Sequence, residues 1–270
     1  GKTKINFDTQ LTTQKFHTKI ALLNAMEWGE VYWKAYLNDG VKPSHDQYGS
    51  GDVPVIPEYI DADHTMPAGD TDWQKEVYQD AFLQNYNLSV STTNKNSASL
   101  FSFNYFDQNG LIKYTNFSRY NVRLNNSYSF LDNKFRVGEN MSLSNWSEIL
   151  KPSGIEELVI AQHPLIPVYD INGGYAGPTQ GLGDKPNPVR LLDQQKDNRN
   201  FNWRIFGNLY LEIEPIHNMI YKSNFSINYR NGYLSNFEPK WSEGSSRVVD
   251  KNSLYVKSDY DREWIWSNTA

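Results

Sequence analysis

Residues 118–130 read SRYNVRLNNSYSF and alternate between apolar or aromatic side chains and polar ones. A period of two is typical of a strand with one apolar and one polar face. Soluble strands usually run about 5 or 6 residues, whereas a strand that crosses a membrane needs about 9 to 11. This stretch is long enough to cross. The side chains predicted to point outward are Tyr120, Val122, Leu124, Tyr128 and Phe130.

Similar alternation recurs along the chain and predicts eight strands that pair as antiparallel neighbours in chain order. One residue opposes this interpretation, because Glu139 falls on the predicted lipid face, where a carboxylate near the midplane costs up to a few kcal/mol. The seven other predicted strands are residues 3–9, 84–92, 98–107, 135–145, 203–213, 219–230 and 254–266.

The connections between these strands alternate in length. Tight turns are predicted at 93–97, 132–134 and 214–218, whereas long connections run over 10–83, 147–200 and 231–252, with a shorter one at 108–116. Short turns at one end and long loops at the other are typical of outer-membrane barrels, in which the long loops are extracellular. The pattern therefore predicts an all-β fold, an antiparallel transmembrane β-barrel segment.

The amino-acid composition fits a membrane barrel and argues against several other kinds of protein and site. Aromatic residues make up 14% of the chain, as in the interfacial girdles of membrane barrels, and the mean hydropathy of -0.67 fits strands with one wet face. A net charge of -5 gives no reason to expect a nucleic-acid partner. The absence of cysteine excludes disulfides, thiolate zinc sites and cysteine nucleophiles within this sequence.

The longest connection is predicted to hold a short helix over residues 18–37, with Thr18 as N-cap and Gly40 as stop. Its aromatic side chains either form a platform on which sugars stack or pack the loop against the barrel or a partner, and packing is the commoner use. These side chains are Trp28, Tyr32, Trp33 and Tyr36.

Acidic and histidine residues give little evidence of a metal or catalytic site. Asp61, Asp63, Asp70 and Asp72 are oxygen ligands of the kind calcium takes, but their spacing matches no EF-hand, and a solvated acidic loop is the simpler interpretation. The five histidines are scattered. No nucleophile, base and orienting group occur together at motif spacing, so we expect no catalytic residues, no metal and no cofactor.

Several motifs together resemble the SusC/RagA family of TonB-dependent outer-membrane transporters. They are DWQKE at 72–76, QNYNLSVS at 84–91, YFDQNGLI at 105–112, RYNVRLN at 119–125, and PLIPVYDINGGY at 164–175 followed by NPV at 187–189. The resemblance implies a 22-stranded barrel with a plug, located in the cell outer membrane. It also implies import of oligosaccharides or peptides with a SusD-like surface lipoprotein and energy from the TonB complex.

Residues 1–270 then represent a partial TonB-dependent receptor β-barrel domain, about eight strands of the larger barrel, without the plug and the remaining strands. Eight strands alone make a small barrel whose interior is filled by side chains, which would not need such loops. The alternative is a soluble all-β carbohydrate-binding or glycosidase-like domain, which as a glycosidase would need two carboxylates about 5 to 10 Å apart.

Ligand contacts are expected from the lumen and the loops. Arg119, Arg123 and Arg204 are predicted to face the lumen, and Tyr169, Tyr175 and Trp241 lie in loops. Lumen positions mainly tune selectivity, so a plain wet wall explains the arginines equally well. The other basic residues predicted on the polar face are Arg136, Lys222 and Arg230.

Overall fold

The computed structural model describes residues 1–17, 19–245 and 247–270, and most of them belong to one antiparallel sheet. All eight predicted strands are confirmed, and each is longer than its period-two core. The strands are β1 Lys2–Gln14, β2 Ala81–Asn94, β3 Ser97–Asn109, β4 Asn116–Phe130, β5 Phe135–Ile149, β6 Arg199–Ile216, β7 Met219–Glu238 and β10 Ser253–Thr269. A short hairpin, β8 Trp241–Glu243 with β9 Arg247–Val249, interrupts the last connection.

The strands pair in chain order, β1 through β7 followed by β10, as predicted. Consecutive antiparallel strands place every second connection at the same end of the sheet. The turn end therefore carries the short connections 95–96, 131–134 and 217–218. The opposite, loop end carries residues 15–80, 110–115, 150–198 and 239–252, which together we call the cap.

The register aligns like side chains across all eight strands, so each face of the sheet has one character. Along the outer face Ile5 lies opposite Val90, Phe101 opposite Leu124, and Ile227 opposite Trp264. Ile5 is 67% exposed and Trp264 is 63% exposed. Within the described residues the other sheet is the small β8–β9 hairpin, so no second layer of strands covers this apolar face as a sandwich requires.

Glu139 does lie on the outer face, as the sequence predicts. Its register partner on β4 is Asn126, whose amide Nδ2 donates to the Glu139 carboxylate at 2.5 Å. This cross-strand hydrogen bond gives the Glu139 carboxylate a polar partner. Its neighbour on the other side, Leu209 on β6, has no polar side-chain group to offer.

In its described residues the cap contains four helices rather than the single predicted one. They are α1 Ala25–Asn38, α2 Trp73–Val77, α3 Ile155–Ala161 and α4 Pro188–Gln195. The predicted start of the first helix was wrong, because a capping box between Asn24 and Glu27 begins it at Ala25. Thr18 lies outside the described residues. Gly40 has φ +70, just beyond the end of α1, as expected of a helix stop.

The hydrophobic core of the chain belongs to the cap and not to the sheet. Trp33, Tyr48, Trp73, Ile155 and Leu165 are each at most 3% exposed and come from two connections, 15–80 and 150–198. Burying side chains of this size stabilises the contact by about 1.5–3 kcal/mol each, so the two long connections fold as one body. None of the helices in the described residues is long and apolar enough to cross a membrane.

Candidate functional site

The inner face of the sheet is a lattice of hydrogen-bonded amides and hydroxyls. The Asn104 amide donates to Asn85 at 2.6 Å and to Asn87 at 2.7 Å. Two strands away, the Ser142 and Ser144 hydroxyls both donate to the Asn121 side-chain oxygen Oδ1 at 3.0 Å. Because these groups partner one another, the wall is polar without carrying fixed charge at most positions.

The three predicted lumen arginines all lie on this inner face and surround Asn121. Arg119 and Arg123 stand two residues to either side of Asn121 on β4, about 7 Å along the strand. Arg204 occupies the same cross-strand row, two strands or about 10 Å away. The register therefore places the three arginines around Asn121 on one face, and we call them the basic patch.

The environments of these arginines differ. The Arg119 guanidinium carbon lies 6.0 Å from the ring centroid of Phe106, and the Arg204 Nε donates to Asn228 at 3.0 Å. Arg123 lines a shallow pocket of about 140 Å³ that also includes Phe206. Guanidinium groups bind carboxylates in bidentate geometry, so the patch is suited to an anionic group of a ligand.

The three other basic residues predicted on the polar face are paired with carboxylates. Arg230 donates to Asp261 at 2.6 Å and to Asp259 at 2.8 Å on the neighbouring β10. Arg136 and Lys222 both contact Glu212, at 3.6 and 2.9 Å. These three groups are neutralised, whereas the arginines around Asn121 form no ion pair within the described residues.

A cavity of about 610 Å³ lies where the cap meets the inner face. Its aromatic side is formed by Phe16 and Tyr78, whose rings stack at 3.9 Å between centroids. Phe117 and Glu148 project into it from the wall, and Lys151 lines it from the cap. Apolar walls with a few polar groups are typical of sites that bind small polar molecules.

The two predicted loop tyrosines, Tyr169 and Tyr175, do lie together. They form an isolated antiparallel bridge, and their rings are 5.7 Å apart. The Tyr175 hydroxyl donates to the Asp193 carboxylate at 2.7 Å. Burial, together with the negative charge of Asp193, raises the pKa of both phenols and of the Tyr114 phenol. We call Tyr114, Tyr169, Tyr175 and Asp193 the tyrosine cage.

Tyr114 was missed in the sequence because nothing local marks it. It lies in the short β3–β4 connection with φ +68, a left-handed conformation that favours glycine or asparagine. Holding a tyrosine there costs on the order of 1–3 kcal/mol. Lys113 and Gln79 pin the loop by backbone hydrogen bonds to Val77 and Leu111. The ring is thus presented to Asp193 at some cost to the backbone.

Trp241 lies apart from the cage. Its ring covers the guanidinium of Arg190, whose carbon is 3.7 Å from the ring centroid. Arg190 is ion-paired with Glu243, which is fully buried and also accepts a hydrogen bond from the Asn187 backbone N–H at 2.7 Å. This arrangement joins the β8–β9 hairpin to α4 and gives Trp241 a place in the cap interior.

The helix aromatics also pack within the cap. Trp33 is 3% exposed and donates to the Gly51 carbonyl at 3.1 Å, and Trp28 stacks against Tyr48. The Tyr32 and Tyr36 rings stack at 4.6 Å and their hydroxyls are hydrogen-bonded. Packing, the commoner interpretation, therefore describes this helix better than a sugar platform does.

Three of the four predicted acidic residues of the long loop accept hydrogen bonds from backbone N–H groups. Asp61 accepts from Thr65 and Met66, Asp70 accepts from the Ala25 N–H at 2.8 Å, and Asp72 caps α2. In the part of the chain that the structure describes, no group of three or more His, Asp or Glu residues is arranged to hold a metal ion.

Three curated proteins are similar in sequence to this chain. TonB-dependent receptor P26 of Formosa agariphila is 25% identical over 201 residues, which cover 73% of this chain. TonB-dependent receptor P3 of the same organism is 27% identical over 63% of the chain, and TonB-dependent receptor SusC of Bacteroides thetaiotaomicron is 25% identical over 51%. This chain is therefore similar to a segment of SusC/RagA-like TonB-dependent receptors. No family model matches it.

Solved structures agree with the receptor fold. The RagAB peptide importer in the closed-closed state superimposes with a TM-score of 0.67 at 18% identity, covering 99% of this chain and 32% of that one. The open-open state gives 0.70 at the same identity and coverage. This chain spans 16% to 20% of the length of the three curated relatives, which are named as TonB-dependent receptors.

Proposed function

We propose that these residues form part of the wall and the extracellular cap of a TonB-dependent outer-membrane importer for oligosaccharides or peptides. In this proposal residues 1–270 contribute eight strands to a larger, 22-stranded barrel. A SusD-like lipoprotein binds at the cap, and TonB drives import through parts of the receptor outside this segment.

The observation that carries the proposal is the sorting of side chains between the two faces. The outer face presents apolar and aromatic residues with no protein layer over them in the described residues, whereas the inner face presents bonded amides and the basic patch. Lipid on one side and water on the other is the environment that suits both faces, because buried polar groups need partners and exposed apolar area costs free energy.

Ligand contact is assigned to Arg119, Arg123 and Arg204 on the wall and to Tyr169 and Tyr175 in the cap. Guanidinium groups provide charge-assisted donors for carboxylates, and tyrosines provide flat rings with a polar end. Trp241 is assigned a supporting role, because its ring already covers Arg190.

Adjacent residues on β4 test the orientation of the wall. The segment has no cysteine, so Arg123→Cys and Leu124→Cys each introduce one label site into a full-length receptor made cysteine-free. In lipid bilayers a membrane-impermeant maleimide should label position 123, which faces the lumen, and spare position 124. Equal labelling at both positions would overturn the lipid-facing assignment.

Import is tested in cells. Cells with the receptor should deplete labelled oligosaccharides or peptides from the medium, and deletion of either the receptor or TonB should abolish depletion. Uptake that persists without TonB would contradict the proposal.

A further inference from the structure

We infer that the tyrosine cage binds the cationic side chain of a lysine or arginine residue in an imported peptide. The inference rests on the proposed function and deepens it, because it selects peptides over neutral sugars as the ligand class. It uses residues of the cap that lie apart from the basic patch of the wall.

The cage places one carboxylate among three aromatic rings. Asp193 accepts the Tyr175 hydroxyl at 2.7 Å, and Tyr169 stands 5.7 Å from Tyr175 between ring centroids. Tyr114 is 44% exposed and Tyr169 is 49% exposed, so a ligand can reach their rings. A ring face attracts a cation through its quadrupole, and a carboxylate beside it adds direct charge attraction.

A cation from the chain itself already occupies the cage. The Lys196 ammonium lies 3.4 Å from the Asp193 carboxylate and 5.8 Å from the centroid of the Tyr114 ring. This contact shows that the cage accommodates an alkyl ammonium. The Lys196 side chain is 45% exposed, and exposed ion pairs contribute little to stability. A ligand ammonium can therefore displace Lys196 into solvent with little loss.

The charges around the cage favour a cation over an anion once Lys196 moves away. Asp193 is then left without a cationic partner, whereas the more distant Glu76 keeps its contact with Lys113 at 4.0 Å. The phenol hydroxyl of Tyr175 donates to Asp193. Because that donor is committed to the protein, the cage offers a ligand mainly ring faces and negative charge.

The two charged regions have opposite chemistry. The patch of Arg119, Arg123 and Arg204 suits carboxylates, and the cage suits ammonium or guanidinium groups. Peptides carry both kinds of group, whereas neutral oligosaccharides carry neither. This pairing is the reason for assigning the cage to peptide side chains rather than to amino sugars.

Binding to the detergent-solubilised full-length receptor tests the inference. Isothermal titration would compare two peptides that differ in one residue, lysine against norleucine. Asp193→Asn should weaken binding of the lysine peptide about 5-fold or more and leave the norleucine peptide unchanged. Lys196→Met should strengthen binding of the lysine peptide, because it removes the internal competitor. Lys19→Met is the matched control, since Lys19 is a cap lysine of similar exposure that is paired with Asp72.

Opposite effects of the two variants separate a binding role from damage to the fold, because misfolding weakens binding in both. Equal affinity for the two peptides in wild type would refute the cage, and so would a Lys196→Met variant that binds the lysine peptide no better. Either result, in cells that still import ligand, would leave the proposed function intact. Preference for glucosamine oligomers over the lysine peptide, lost in Asp193→Asn, would overturn the peptide assignment. Absence of both peptide binding and uptake would overturn the proposed function itself.

Discussion

Acidification should loosen the cap through His163. The imidazole is 7% exposed, packs edge-on against Trp28 at 4.3 Å, and accepts the Leu165 backbone N–H at Nδ1. Its Nε2 has no partner within the described residues. Burial, with a smaller contribution from the nearby His45, lowers the pKa of His163 to about 4.

When the cap unfolds locally, the pKa of His163 returns to its ordinary value of about 6.5. The expected loss of cap stability follows from the difference between these two pKa values. A difference of about 2.5 units corresponds to about 3 kcal/mol. Above pH 6.5 the imidazole is neutral in both states and the cap has its full stability. As the pH falls from 6.5 to 4 the opened state is protonated first, so stability is lost across that window and levels off below it.

Hydrogen exchange of the full-length receptor measures this effect. Amides of residues 155–175, corrected for intrinsic exchange rates, should lose protection between pH 7.5 and pH 4.5. His163→Asn removes the titration while its side-chain oxygen can accept the Leu165 N–H, so its protection should change much less with pH. His217→Asn is the control, because this side chain is 89% exposed in a turn. Protection that does not change with pH in wild type would refute the reasoning.

Three further substitutions address the fold. Glu243→Gln leaves the buried Arg190 without its counter-charge and should lower stability by about 3–5 kcal/mol in thermal melts, whereas replacing both residues by apolar ones should cost less. Gly138→Ala places a Cβ 2.6 Å from the Asn126 carbonyl oxygen, so the yield of folded receptor should fall. Asn126→Leu should destabilise the barrel by leaving Glu139 unpaired on the outer face, and adding Glu139→Leu should restore its stability.

The strands could be predicted because each carries its own pattern. Alternation over 118–130 identifies the strand and both of its faces, and the register then aligns Val122 with Phe103 and Leu143. The predicted ends of the strands were less accurate than their centres. Toward the loop end strands such as β7 continue through 231–238, where Gly232 and neighbouring polar residues break the alternation but ladder hydrogen bonds persist.

The cap was less predictable, because its signals are short or distant in sequence. Asn187 followed by Pro188 is a helix-start signal for α4, and Asn24 with Glu27 marks the start of α1 more strongly than residues upstream do. The proximity of Tyr114 and Asp193 could not be predicted from the sequence, since 78 residues separate them and neither belongs to a local motif. Such contacts depend on how two connections pack.

Under the proposed function, we expect the tyrosine cage to contribute more to ligand discrimination than the asparagines of the wall do. Most inner-face amides are bonded to one another, as Asn104 is to Asn85 and Asn87, so a ligand that takes one of these hydrogen bonds must break another. The net gain of such an exchange is small, about 0.5–1.5 kcal/mol per bond. The tyrosine cage differs in two ways. Its internal ion pair to Lys196 is exposed, and its ring faces lose no protein hydrogen bond when a ligand replaces water. Discrimination between ligands should therefore respond more to Asp193 than to any single asparagine of the wall.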